Sequence, residues 1–150
     1  MDADTVLIKS FSLKGRSEFS LPPKYPIGAI VPADTNTFIV QDLSEEERSK
    51  GFWGFWESII GYVKREMAIE EGYIYLLKRE NNILQSVGHW RLVDLFKVFV
   101  DPEDSELRLV VQTEGSHQLV MRDFKSDQLS NIVARLRENI KAIGLTLVDY

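Results

Sequence analysis

From Ser126 to Ile143 the chain places an apolar residue every three or four positions: Leu129, Ile132, Val133, Leu136, Ile140 and Ile143. That spacing marks one face of an α-helix. Arg135, Arg137, Glu138 and Lys141 fall on the opposite or flanking surface. Ser126 or Asp127 is placed to cap the start, and Gly144 to stop the end. A stripe this apolar must dock against something, and the segments before it are strand-like. The pattern predicts an α+β fold: a strongly bent antiparallel sheet or small barrel capped by a C-terminal amphipathic helix.

The strand candidates are short and bounded by turn residues. Thr5–Ser12 is β-branched and apolar, and Arg16–Leu21 reads as its returning strand, making a hairpin through Gly15. Pro22, Pro23 and Pro26 then interrupt regular structure. Ile27–Val31 and Thr37–Gln41 are short strands around a loop at Pro32–Asn36. Tyr73–Arg79 is a strand, and Glu80-Asn81-Asn82 a turn whose asparagines tolerate left-handed dihedrals. Ile83–Trp90 and Leu92–Val100 come next, with a bend near Arg91. Glu106–Gln112 and His117–Phe124 form a hairpin through Thr113–Ser116.

Between the early and late strands the chain changes character. Ser44 with Glu47 three residues later has the capping-box arrangement. Then comes GFWGFWESIIGYV from Gly51 to Val63. Phe52, Phe55/Trp56, Ile59, Val63 and Met67 share a 3.6-residue period. A helical insert over about 42–71 is expected, ending in the acidic stretch Glu66–Glu71. The whole is one domain, 1–150, for its 150 residues suit a single core.

Composition removes several chemistries. There is no cysteine, hence no disulfide, thiolate metal site or cysteine nucleophile, which fits a cytoplasmic setting. The start, MDADTVLIKS, lacks the basic run and apolar core of a secretory signal. No apolar run approaches the ~20 residues that a membrane span needs. Lys and Arg number 18 against 23 Asp and Glu, a net charge of −5, so no nucleic-acid partner is expected. The carboxylates Asp101, Glu103, Asp104 and Glu106 lack the glycine and spacing of a calcium loop. His89 and His117 stand apart without a nucleophile motif. Neither metal nor cofactor is expected, and no catalytic residue stands out.

Seven or so antiparallel strands and then one amphipathic helix is a familiar order. The stretch Arg91–Gly144, with RLVDLFKVFVDPEDSELRLVVQTEGSHQLVMRDFKSDQLSNIVARLRENIKAIG, resembles the late strands and capping helix of the pleckstrin-homology-like superfamily. The likeness covers about the last third of the chain and is one of pattern. The terminal helix lacks the tryptophan common in the best-known subfamily, and the aromatic insert departs from a minimal member. The resemblance implies a small barrel and a targeting or adaptor role. Some lipid-binding members carry a lysine on the first strand and a basic-x-arginine element on the second; Lys9, Lys14 and Arg16 match those positions. Such side chains give charge-assisted donors to a phosphoinositide headgroup. A peripheral membrane location would result.

Three readings of function stand side by side. In the first, the chain is a non-catalytic interaction module contacting a protein partner through Phe52, Trp53, Phe55, Trp56 and Ile60. These are more apolar side chains than one helix face needs, and Glu45–Glu47 beside them would be repelled by anionic lipid. A homo-oligomer through the same insert is a variant of it. In the second, the Lys9/Lys14/Arg16 hairpin binds anionic lipid. In the third, a ligand-binding or catalytic barrel has a pocket lined by Tyr73, Tyr75, His89 and Trp90.

Overall fold

The computed structural model describes residues 8–43, 63–113 and 115–149. They form ten strands and one long helix: β1 Lys9–Gly15, β2 Ile30–Val31, β3 Phe38–Asp42, β4 Val63–Glu70, β5 Tyr73–Glu80, β6 Ile83–Arg91, β7 Leu95–Asp101, β8 Glu106–Gln112, β9 Leu119–Lys125, α1 Leu129–Ala142 and β10 Leu145–Asp149. All strand pairs are antiparallel, in the order β10-β1-β7-β8-β9-β3-β4-β5-β6-β2. The sheet is bent and unclosed, with β10 and β2 at its two edges.

Two meanders build this order. Strands β3 to β6 run as one and β7 to β9 as the other. Where β9 meets β3 only Gln41↔Lys125 and Asp42↔Phe124 pair. Between β6 and β7 the chain turns through a short 3-10 segment, Leu92–Asp94, near the bend expected at Arg91. Both guanidinium bonds of Arg91 to Asp94, each 2.9 Å, brace that corner. Leu92 is consequently not strand but a fully buried plug in the core.

Helix α1 docks as its stripe requires. Leu129, Ile132, Leu136 and Ile140 are buried in the main core with Phe38, Val40, Met67, Ile69, Ile74, Leu76, Leu107, Leu109 and Phe124. Arg135 and Arg137 flank the stripe and reach back to strands. Arg135 Nε donates to the Ile69 carbonyl (3.0 Å), and Arg137 donates to that of Leu147 (2.8 Å). The expected cap is corrected: Gln128 occupies the cap position and makes no side-chain capping bond. Residues before the helix stitch it to β3 instead. Ser126 Oγ donates to the Ile39 carbonyl (2.8 Å), and Gln128 Oε1 accepts the Ile39 N–H (3.1 Å).

Strands β4 and β5 are buried on both faces. Alternation sends Met67, Ile69, Ile74 and Leu76 to the helix side. It sends Ala68, Tyr73, Tyr75 and Leu77 to a second, smaller core with Tyr25, Val31 and Leu84. The irregular segment after β1 covers that second face. Hairpin turns at Glu71-Gly72 and Asn81-Asn82 have positive φ at both residues, as a tight twisted hairpin demands.

Three further expectations are overturned and one is extended. The first hairpin does not form: Arg16–Leu21 is not a strand, and β1 pairs with β7 and β10. Gly15 (φ 109°) turns the chain away, and Pro22, Pro23 and Pro26 keep the next stretch irregular. The helical insert does not extend to residue 71, for Val63–Glu70 is strand β4. Val63 and Met67 are four apart, which satisfies both a helical and an alternating period, and pairing to β3 and β5 decides between them. The Ile27–Val31 strand shrinks to Ile30–Val31. Finally, Gly144 (φ 88°) stops the helix as expected, but the chain continues as a tenth strand beside β1.

Candidate functional site

Alternation along a strand determines what the candidate residues can do together. Lys9 and Lys14 lie at opposite ends of β1 and are exposed, with Arg16 just beyond it. Being five positions apart, they sit roughly 16 Å apart and on opposite faces. The structure therefore does not bring the three cations to one point. His89 and Trp90 are likewise adjacent in sequence and divided in space. His89 packs edge-on against Tyr73 (5.7 Å between ring centres) and Tyr75 (6.3 Å) on the smaller core. Burial lowers its pKa below the usual histidine value. Trp90 faces the helix-side core, with its ring edge-to-face on Phe124 at 6.5 Å. Tyr73 and Tyr75 are buried and stacked on one another at 5.6 Å, so rings occupy the space. Two clefts, of about 560 and 400 Å³, are lined by other residues. His117 is exposed, and no ring contact of it with either group is seen among the described residues.

Phe52, Trp53, Phe55, Trp56 and Ile60 lie outside the described residues. The register of their flanking strands is nevertheless informative. Asp42, the last residue of β3, is the cross-strand partner of Val63, the first of β4. The aromatic stretch thus leaves and re-enters the sheet at one point. That point lies at the far end of β4 from Ile69, whose carbonyl Arg135 of α1 holds.

Three strands converge there. On the outward face Lys64, Gln41 and Lys125 form a row across β4, β3 and β9, because Gln41 pairs with both lysines. A cleft of about 560 Å³ borders the row, lined by Ile39, Gln41, Asp104, Lys125, Asp127 and Gln128. A second cleft, about 400 Å³, is lined by Ile8, Ser10, Phe99 and Arg108. On the inward face Asp42 is fully buried, and Arg122 donates to it at 3.0 Å. The Arg122 guanidinium lies 4.9 Å from the centre of the Trp90 ring, a cation–π placement. Arg122 Nε is buried without a hydrogen-bond partner among the described residues. Beyond Arg122 the start of β9 exposes Leu119, Val120 and Met121.

The sequence reading missed this convergence, since Gln41, Lys64 and Lys125 are far apart along the chain and only register unites them. Asp42 offered one signal: a carboxylate continuing the inward positions Phe38 and Val40 of β3 must be buried, and a buried carboxylate needs a cation. Among the described residues no cluster of His, Asp and Glu could hold a metal ion, and no helix is long and apolar enough to cross a membrane. The arrangement offers hydrogen-bonding and charged groups around an apolar rim. Comparison of the chain with protein-family models, curated proteins and solved structures returns no match.

Proposed function

We propose that the chain is a non-catalytic interaction module of pleckstrin-homology-like build, and that it binds a protein partner through the aromatic segment between β3 and β4. Phe52, Trp53, Phe55, Trp56 and Ile60 are the proposed contacts. The observation that carries this reading is the Asp42↔Val63 pairing. The chain leaves β3 and enters β4 at paired residues, with its most aromatic stretch between them in sequence, and the neighbouring strand β9 exposes Leu119, Val120 and Met121. Tryptophan and tyrosine with an apolar rim favour protein contacts. The order of two meanders and then a helix supports the build.

Three proteins test it: the wild type, Trp53→Ala/Trp56→Ala and Lys14→Ala/Arg16→Ala, each first verified as folded by circular dichroism. Cross-linking in cell extract, with mass spectrometry as the readout, identifies what each one contacts. A partner cross-linked to the aromatic segment, kept by the lysine–arginine variant and lost by the tryptophan variant, is expected. The same partner retained by the tryptophan variant overturns the reading. Sedimentation with phosphoinositide vesicles runs in parallel, and pelleting lost only in the lysine–arginine variant would support lipid binding in its place.

A further inference from the structure

The segment Ser17–Ile27 has no regular secondary structure, yet it covers the tyrosine-rich face of β5 and β6. Its fastening is unusual. Among the described residues, no backbone group between 17 and 27 bonds the backbone of a strand. Side chains of the sheet reach up to it instead. Tyr73 hydroxyl donates to the Leu21 carbonyl (2.9 Å), Tyr75 hydroxyl accepts the Lys24 N–H (2.7 Å), and Ser86 Oγ donates to the Tyr25 carbonyl (2.9 Å). Two rings complete the attachment. Tyr25 packs edge-to-face on Tyr75 at 5.0 Å and Phe19 on Tyr73 at 6.0 Å. Phe19 lies over Gly72, where a Cβ would overlap its ring. Lys24 adds only long ion pairs to Glu70 (3.7 Å) and Glu71 (3.8 Å).

At its far end the fastening changes to ladder bonds: Gly28 N–H to the Ser86 carbonyl (2.8 Å) and Ser86 N–H to that of Ala29 (2.9 Å). At its near end β1 is laddered to β10 as far as Gly15, which pairs with Leu145. The segment is thus firmly anchored at both ends and buttoned by side chains between them. Leu21 and Ile27 already point into solvent.

We propose that Ser17–Ile27 is a strap that opens as a unit while the helix-covered core stays folded, uncovering Tyr73, Tyr75 and His89. Regions with few buried contacts and few backbone bonds open at a lower free energy than the whole domain. Here the fastenings can release together without breaking one ladder bond. Opening creates an aromatic surface that the closed domain conceals.

Native-state hydrogen exchange with mass spectrometry tests this on the full chain. Peptides covering 17–27 should exchange well before those from β7 and β8. Tyr75→Phe removes one hydroxyl and keeps the ring, and should speed exchange of the Lys24 amide about tenfold, the effect of losing one such bond, with β8 unchanged. Phe19→Ala, which leaves the sheet intact, should act in the same direction. Strap and β8 peptides exchanging together in the wild type would overturn the proposal. So would a Tyr75→Phe or Phe19→Ala variant that accelerates both regions equally.

Discussion

The two faces of strands β4 and β5 solve the same problem by different means. Toward α1, Met67, Ile69, Ile74 and Leu76 meet a helix that satisfies its own backbone and buries aliphatic side chains, with Arg135 alone reaching a strand carbonyl there. Toward the strap, Ala68, Tyr73, Tyr75 and Leu77 meet a chain with almost no internal bonding. Each tyrosine there supplies a ring for packing and a hydroxyl for the polar backbone above it. A helix can be covered by leucine; an irregular segment has to be covered by residues that also carry hydrogen bonds. The tyrosines are thus explained by what lies over them.

If that contrast holds, the largest losses belong to the helix side. Asp42→Ala would leave the nearly buried Arg122 without its carboxylate, and should cost about 3–5 kcal/mol in chemical denaturation. A loss below about 1 kcal/mol would show that solvent reaches Arg122. Leu136→Ala removes a fully buried residue at the middle of the stripe, and about 2–5 kcal/mol is expected. Its effect should extend to every exchanging region, including the strap.

Smaller effects belong to the strap side. Glu66 accepts Thr37 Oγ1 (2.7 Å) and two bonds from Arg79 (2.7 and 2.9 Å), and the Arg79 bonds hold its carboxyl below the usual range. Glu66→Gln should cost about 1–3 kcal/mol at neutral pH. A lowered acid pKa stabilises the fold above the unfolded value, near 4.5, and that contribution is lost as pH falls through the folded value. The gap between wild type and variant should therefore close on acidification; a gap independent of pH would exclude the charge as its cause. The least change is expected at His89. Burial depresses its pKa, so the native state resists protonation, and stability declines as pH drops below about 6.5 toward the folded value. His89→Gln should flatten that slope in thermal melts between pH 7.5 and 5.5, and an unaltered slope would assign it to another group.

Local patterns were legible wherever one period dominated. The final helix, the β8 strand and the Asn81-Asn82 turn can all be read from residues within one window. The partners of β1 cannot, since Phe11 lies beside Val98 on one side and Asp149 on the other. Strand β4 was obscured by a spacing compatible with two periods. The site was less legible than the fold. Alternation alone separates His89 from Trp90, but joining Gln41 to both Lys64 and Lys125 requires the order of the sheet. The strap was invisible because its fastenings, such as Tyr75 to Lys24, span about fifty positions and leave no periodic trace.

The place of β1 also dictates an order of events during synthesis. It leaves the ribosome before either neighbour, β7 or β10, exists. Until then its Phe11 has no ladder on either side, and the last of its pairs waits for residue 149. Loop-closure entropy must be met before such distant contacts reward it. The two meanders and α1 can assemble from contacts available earlier, so β1 should join a body already formed. A nascent chain halted before Leu145 would carry a half-paired β1, with one side open to any extended segment nearby.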